Sequence, residues 1–309
     1  MAVGTYRFEL LRKRLNVFTR MLHGVEHGDV RALHRTRVAS RRLRELVPVL
    51  QLDRSLSQKL MRRLRQVTAH LGSVRELDVL LLVLDELHDS GRQTEKALHR
   101  LQSAIAEERN GARQRLFEKL PTAELRRLVK KLEDIANALD PHDRSPNRRE
   151  EVASRWAVDA RIAKRAERLH RAIETAGAVY LPDRLHAVRI AVKKLRYALE
   201  LRDEFAGARS GADVRALRRA QDVLGRMHDL QMLTDRARQV QTQLTPADAR
   251  TWEGLDALIE GLEDDCRLLH ARYMRERPTL VAVCNQSVQS GSDASASRER
   301  RAGARQAAG

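Results

Sequence analysis

Apolar residues recur every three or four positions along most of the chain, which is the spacing that lines one face of an α-helix. The segment 6–22 is the first example and carries four of them: Phe8, Leu11, Leu15 and Phe18. Two glycines follow it, and Asp29 is placed to cap the next helix by accepting hydrogen bonds from its first N–H groups. The hydrophobic pattern therefore predicts a chain built from successive helices.

The same pattern continues after this first helix with few interruptions. Further helices are predicted over 29–52, 55–89, 93–120, 122–139, 151–176, 183–206, 212–240 and 247–275. The segment 140–150 has two prolines and no apolar periodicity, which is typical of a linker. Beyond Pro278 small and polar residues dominate, which favours disorder. We therefore predict a first helical-bundle half over 1–145, a second over 146–284 and a disordered tail over 285–309.

Composition supports an all-α fold class. Only 3% of the 309 residues are aromatic, and glycine (15) and proline (7) are sparse. The composition is therefore poor in the residues that favour strands and tight turns. The chain has no apolar run long enough to cross a membrane, and its first thirty residues are charged throughout. Its two cysteines, Cys266 and Cys284, are too few for a disulfide framework or a four-cysteine zinc site. We expect a soluble cytoplasmic protein with no membrane partner.

The charge balance narrows the choice of partner. The chain has 59 Lys and Arg against 42 Asp and Glu, a formal net charge of +17 that is spread over both halves. Such an excess favours polyanionic partners, which include nucleic acid, anionic membranes and polymeric phosphate. Arginines that merely solvate helix faces would give the same totals. The positions of the charges must therefore decide between these alternatives.

The chain contains an internal repeat. The stretch LHRTRVASRRLR from Leu33 recurs as LHAVRIAVKKLR from Leu185, an offset of 152 residues from 33 to 185. Downstream, LGSVRELDVL from Leu71 matches LGRMHDLQML from Leu224, an offset of 153 from 71 to 224. Two matches in the same order and at nearly the same offset indicate a tandem duplication, in which each half is a small helical bundle.

The repeated stretch places its cations on one helix face. At 100° per residue, apolar side chains cover one side and a basic stripe about 80° wide covers the other. The stripes comprise His34, Arg37, Arg41 and Arg44 with Arg42 at the flank, and His186, Arg189, Lys193 and Arg196 with Lys194 at the flank. Neither stripe contains an acidic residue, although like charges three and four positions apart repel. Two uncompensated stripes favour an anion-binding site over a merely solvated face.

At these residues the sequence resembles the CHAD family, the conserved histidine α-helical domain. The resemblance rests on the HxxRVAxRRLR motif, its second copy HxxRIAxKKLR, and the LGxxRExDVLL element with its partner, and it extends over about 6–280. It implies two tandem pseudo-symmetric four-helix bundles with a basic, histidine-lined surface or channel between them. It also implies non-catalytic binding of inorganic polyphosphate and association with polyphosphate granules. The implied ligand contacts are His34, Arg37, Arg41, Arg42, Arg44, His186, Arg189, Lys193, Lys194 and Arg196.

The second repeated element departs from symmetry. Arg75 in the first half becomes His228 in the second, and Asp78 becomes Gln231. A symmetric role for this element is therefore not expected. The ExExK signature of the triphosphate-tunnel module, to which CHAD domains are often fused, is absent from the sequence, which resembles a stand-alone CHAD protein.

The chemistry of the stripes suits a phosphate polymer. Arginine can bind two phosphate oxygens at once, whereas lysine acts as a point charge. A bound anion would raise the pKa of His34 and His186, and we therefore expect tighter binding in mild acid. The alternative is that these histidines hydrogen-bond the backbone. A weaker extension of the basic surface is predicted at Arg62, Arg63, Arg218 and Arg219.

Signals for catalysis are weak. His23 and His27 have metal-ligand spacing, but glycines 24 and 28 would break the helix that presents them. The pair His228-Asp229 resembles an HD phosphohydrolase motif, yet its repeat partner is Arg75-Glu76, so we interpret it as a structural remnant. The sequence has no glycine-rich phosphate loop and no carboxylate cluster. We expect no enzymatic activity, no metal and no cofactor.

The main alternative is sequence-nonspecific binding to a nucleic-acid backbone. With 2 Trp, 4 Tyr and 4 Phe, the chain has few side chains on which bases could stack, which places nucleic acid second to polyphosphate. A third interpretation is a granule scaffold that uses polyphosphate as an anchor and recruits other granule proteins. Association with polyphosphate granules, beyond a cytoplasmic location, follows from the resemblance alone.

Overall fold

The computed structural model describes residues 3–89, 95–139, 148–206 and 211–306, and within these ranges all regular structure is helical. The helices are α1 (Val3–Arg20), α2 (Leu22–Glu26), α3 (Val30–Leu46), α4 (Arg54–Asp89), α5 (Glu95–Lys119), α6 (Thr122–Ala138), α7 (Arg148–Ala176), α8 (Pro182–Ala206), α9 (Gly211–Gln241) and α10 (Ala249–Gln306). The prediction of an all-α fold is confirmed. No helix in the described part of the chain is long and apolar enough to span a membrane.

The entry into α3 is fixed by a glycine turn and a cap. Gly28 has a φ of +69°, a left-handed conformation that glycine adopts without strain. The Asp29 carboxylate then accepts hydrogen bonds from the backbone N–H groups of Arg31 and Ala32, both at 3.1 Å. The predicted cap is therefore confirmed. Gly24 allows close packing here, because a Cβ at this position would lie 2.5 Å from the Cβ of Ala32.

The apolar side of α3 is packed tightly against α4. Leu33 and Leu43 on α3, and Leu64 and Leu71 on α4, are fully buried. The Ser40 hydroxyl on α3 also lies 2.9 Å from the Thr68 hydroxyl on α4. This packing leaves the basic side of α3 turned away from the core of the first half.

The two halves repeat the same arrangement. In the first half α6, α1, α3, α4 and α5 contact one another in that order, and in the second half α7, α8, α9 and α10 form a four-helix bundle. An offset of 152 residues maps α5 and α6 together onto the single long helix α10. Consistent with this mapping, α5 packs on α4 and α6 on α1, whereas α10 packs on both α9 and α7.

The chain continues as helix further than its composition predicts. The backbone of residues 285–306 belongs to α10, although this segment was predicted to be a disordered tail. Alanine and arginine are strong helix formers, and Pro278 lies inside α10 without ending it. The predicted linker lies mostly outside the described residues, which resume at Arg148, the start of α7.

The two halves contact each other mainly through helices that are repeat equivalents. Contacts between them join α1 to α7, α3 to α8 and α4 to α9. Buried Glu45 on α3 accepts hydrogen bonds from Arg161 (2.8 Å) and Arg165 (3.3 Å) on α7. Buried Arg14 on α1 pairs with Glu204 on α8 at 3.1 Å. This pseudo-two-fold packing brings the basic stripes of α3 and α8 together.

Candidate functional site

Four cations meet where α3 packs against α8. Arg37 and Arg41 come from the first half, and Arg189 and Lys193 are their repeat equivalents in the second. The pKa of Lys193 is lowered to about 6, mainly because the side chain is buried. The nearby charges of Arg189, Arg41 and Arg37 lower it further. Burial also lowers the pKa of Arg37 to about 10, and Arg41 and Arg189 add to that shift. We call these four residues the central cluster.

The central cluster is poor in counter-charges. Among the described residues, no carboxylate oxygen lies within 4.0 Å of the cationic nitrogens of Arg37, Arg41 or Lys193, and Asp229 lies 3.9 Å from Arg189. The Nε groups of Arg37 and Arg189 are buried without a hydrogen-bond partner. Leaving a buried donor unpaired costs about 1–3 kcal/mol. The cluster therefore holds donors and positive charge that an anion could satisfy.

Two acidic residues border the central cluster from the neighbouring helices. Glu76 on α4 and Asp229 on α9 are repeat equivalents at the offset of 153. The negative charge of Glu76 favours the charged forms of Arg37 and Arg189 and so raises the pKa of each, against the effect of burial. Burial raises the pKa of Asp229, against the opposing influence of Arg189. Analysis of the stripes alone missed both acids because they belong to other helices, although the second repeated element contains them.

Histidines flank the central cluster in both halves, but differently. His186 and His228 face each other with their Nδ1 atoms 3.3 Å apart, so one ring nitrogen donates to the other. Burial, and then Arg189, lower the pKa of both, that of His228 to about 3. His34 is exposed, and burial of part of the ring and then Arg75 lower its pKa. Nδ1 of His186 thus meets another ring and not the backbone. The pair His228-Asp229, interpreted as a structural remnant, lies at the edge of the site.

The ends of the two stripes have different surroundings. Arg44 has a buried Nε without a partner, and the guanidinium of Arg65 adjoins it. Its equivalent Arg196 donates from Nε to Gln221 at 3.0 Å and from Nη1 to Glu200 at 2.6 Å. Arg44 thus retains free donors, whereas Arg196 is bound within the protein.

The flanking positions lie apart from the central cluster. Arg42 is exposed, and its carbonyl oxygen accepts a hydrogen bond from Arg14 at 2.7 Å. Lys194 lies with Arg165 and Arg168 on a separate groove of about 310 Å³ between α7 and α8. The structure therefore does not bring these two predicted contacts to the other stripe residues.

The four positions of the predicted extension also separate. Arg63 forms an ion pair with Glu124 on α6, and Arg219 lies 3.6 Å from Glu276 on α10. Arg218 pairs with Glu200 at 3.0 Å, next to Arg196, and Arg62 is exposed. Except for Arg62, the extension arginines have acidic partners.

A groove of about 360 Å³ runs between α3 and α4 beside the central cluster. Its lining is Arg37, Arg41, Arg44, Arg65, Thr68, Ala69, Gly72, Ser73 and Glu76. The guanidinium of Arg37 lies across Gly72, where its Nε would be 3.5 Å from an added Cβ. Four of these nine residues are arginines on one open path. Arg65 was not among the predicted site residues because it lies outside both stripes.

Comparison with known proteins identifies the fold. The chain is similar in structure to the CHAD domain from the plant Ricinus communis, with 22% identity and a TM-score of 0.56 over 92% of each chain. It is also similar to PptA from Streptomyces chartreusis, with 21% identity and a TM-score of 0.58, covering 95% of this chain and 100% of the other. Comparison with curated proteins gave no match. The family model of the CHAD domain matches residues 9–238. This protein therefore belongs to the CHAD domain family.

Proposed function

We propose that the protein binds inorganic polyphosphate, without catalysis, at the central cluster. The observation that carries the proposal is the meeting of four basic side chains from both halves, three of which have no carboxylate oxygen within 4.0 Å in the described part of the chain. Polyphosphate carries one negative charge on each internal phosphate and offers no base or sugar for recognition. Its binding must therefore rely on charge and on hydrogen bonds to oxygens, which are what Arg37, Arg41, Arg189 and Lys193 supply.

The burial of the cluster favours a slender anion over a duplex. The Arg189 side chain is only 16% exposed, and the Nε groups of Arg37 and Arg189 are buried. An unbranched phosphate chain can enter a recess of this kind, whereas the phosphates of a duplex are held on the surface of a wide, rigid helix. Nucleic-acid binding, the alternative from sequence, is therefore an outcome that the experiment below tests.

The nearest ionisable groups favour binding without turnover. His228 is the most buried of the imidazoles at the cluster, and its pKa of about 3 makes it a weak general base at neutral pH. The Asp229 carboxylate lies beside Arg189 and is opposed by that charge. We infer that the site holds polyphosphate, and that the protein associates with polyphosphate granules by binding polymer exposed at their surface.

The direct test is titration of long-chain polyphosphate into the whole protein at two salt concentrations, with duplex DNA and single-stranded RNA as competitors. The variant R37A/R41A/R189A/K193A removes the central cluster. The control K119A/R127A/K130A/K131A removes the same number of charges from exposed positions around α6. Both variants are first checked for native helicity and a cooperative thermal transition.

We expect the cluster variant to lose at least 100-fold in affinity and the control variant to stay within threefold of the wild type. If each charge contact contributes about 0.7 to the slope of log K against log salt, the slope of the cluster variant falls by roughly 3. Polyphosphate recovered after incubation should keep its length. Equal losses in the two variants, equal competition by nucleic acid, or shortening of the polymer would each contradict the proposal.

A further inference from the structure

The duplication gives each half an arginine pair at the far end of its stripe. In the first half the pair is Arg44 on α3 with Arg65 on α4. In the second half it is Arg196 on α8 with Arg218 on α9, at the offsets of 152 and 153. Leu64 and Val67, on either side of Arg65, are buried, and their equivalents beside Arg218, Leu217 and Ala220, are buried as well, which supports this register. Two matched pairs can therefore be compared within one protein.

The second pair has a carboxylate built between its members. Oε1 of Glu200 lies 2.6 Å from Nη1 of Arg196 and 3.0 Å from Nη2 of Arg218, and the Glu200 side chain is only 15% exposed. The amide oxygen of Gln221 accepts the Nε–H of Arg196 at 3.0 Å. The charge and hydrogen-bond donors of this pair are thus engaged by groups of the protein itself.

The first pair lacks both of these partners. Pro48 stands at the position equivalent to Glu200, and Thr68 at that of Gln221. The Thr68 hydroxyl donates to the Leu64 carbonyl oxygen at 2.6 Å and lies 2.9 Å from the Ser40 hydroxyl, and it forms no hydrogen bond with Arg44. The Nε of Arg44 is buried without a partner.

The remaining neighbours of the first pair do not close it. The acid adjacent to Arg44 in sequence is Glu45, which accepts hydrogen bonds from Arg161 and Arg165 across the interface between the halves. Arg65 is exposed, and its charge is the main charged influence that lowers the pKa of Arg44, after burial. This pair therefore has two adjacent guanidiniums and no anion between them.

We infer that Arg44 and Arg65 form a phosphate-binding pair, and that the Glu200 carboxylate occupies the equivalent anion position in the second half. This inference rests on the proposed function, since it takes the ligand to be a phosphate chain. Arg44 and Arg65 line the same groove of about 360 Å³ as Arg37 and Arg41. A chain held at the central cluster therefore leaves it along α3 and α4, and the path along α8 and α9 is closed by Glu200.

The test compares the two repeat-equivalent arginines and the carboxylate between the second pair. Polyphosphate affinity is measured for the wild type, R65A, R218A, E200Q and E200Q/R218A, all at low salt and with thermal melting as the folding check. We expect R65A to lower affinity about tenfold. We expect R218A to lower affinity by at most about threefold. We expect E200Q to raise affinity about tenfold, because it exposes a second arginine pair, and R218A to remove that gain in the E200Q background.

The outcomes separate the two proposals. If the wild type binds polyphosphate and R37A/R41A/R189A/K193A does not, while R65A and R218A have equal effects, the proposed function stands and the one-sided path is wrong. Failure of E200Q to raise affinity, with its fold intact, also overturns the one-sided path. A wild type that does not bind polyphosphate overturns the proposed function itself.

Discussion

The lowered pKa of Lys193 should make the proposed binding of polyphosphate dependent on pH. In the free protein, burial and then the charges of Arg189, Arg41 and Arg37 hold this pKa near 6, against the opposing influence of Asp229. Lys193 is therefore largely neutral above that pH when no anion is present. A bound phosphate chain favours the protonated ammonium, so that binding at pH 8 must be accompanied by uptake of a proton.

The size of the effect follows from linkage. With a pKa of about 6, roughly 1% of the free protein carries the proton on Lys193 at pH 8. If the bound lysine returns close to its ordinary pKa, affinity falls by up to tenfold per pH unit between pH 6 and 8. Because half of the free lysine is already protonated at pH 6, the full change from pH 6 to 8 is about 50-fold, or about 2.3 kcal/mol. Below pH 6 the free lysine is already protonated, and its contribution levels off.

Two measurements test this prediction. Affinity for polyphosphate is determined between pH 5.5 and 8.5 at constant salt, and proton uptake is measured at pH 8 by calorimetry in buffers of different ionisation enthalpy. The variant K193R is the matched control, because arginine keeps its charge throughout this range. We expect nearly one proton taken up by the wild type and a much flatter profile for K193R.

The reasoning would be refuted by a wild-type affinity that does not change between pH 6 and 8. It would equally be refuted if K193R showed the same slope as the wild type. The histidines do not obscure the comparison, because His34, His186 and His228 are unchanged in K193R, so any proton that they take up on binding is taken up by both proteins.

Three further predictions concern stability. Because the pKa of Lys193 is lower in the folded than in the unfolded state, the free protein should gain up to about 2.3 kcal/mol in unfolding free energy from pH 6 to 8, and K193M should show a smaller gain in denaturant titrations. E45Q should lower the unfolding free energy by about 3 kcal/mol, because it leaves Arg161 and Arg165 without their buried carboxylate; a loss below 1 kcal/mol would contradict this role. G24A should lower the unfolding free energy by about 1–3 kcal/mol, because the new Cβ would lie 2.5 Å from the Cβ of Ala32. G225A, with open space around it, should be neutral or stabilising. Similar melting temperatures for the two variants would refute the packing argument.

Helix periodicity and the repeat predicted most of the fold. They placed Arg37, Arg41, Arg189 and Lys193 on matching faces of two helices, and the packing of α3 on α8 brings these faces together. They could not predict which acids would lie nearby, because Glu76 and Asp229 lie on other helices, α4 and α9, and only the packing of these helices determines which of their side chains come close to the stripes. Their effect depends on tertiary packing.

The positions at the ends of the site were harder to predict, for the same reason. Arg63 and Arg219 are predicted to extend the basic surface because they lie on the helices that follow the stripes. In the structure each forms an ion pair with an acidic residue, on α6 and α10 respectively. Arg65 was not predicted as a site residue because it lies outside both stripes, and only the α3–α4 groove places it with Arg44. Ion pairing between helices depends on side chains that periodicity does not relate to one another.

The contacts of α1 with α7, α3 with α8 and α4 with α9 give the single chain the arrangement of a symmetric dimer whose two subunits are covalently joined. Two separate halves would have to overcome mutual repulsion between Arg37 and Arg189, and they would part on dilution by mass action. A covalent connection replaces that bimolecular step with a fixed effective concentration, which for short linkers is about millimolar. The site should therefore stay assembled at any protein concentration in the cell, including when a large excess of polymer offers each molecule its own place to bind.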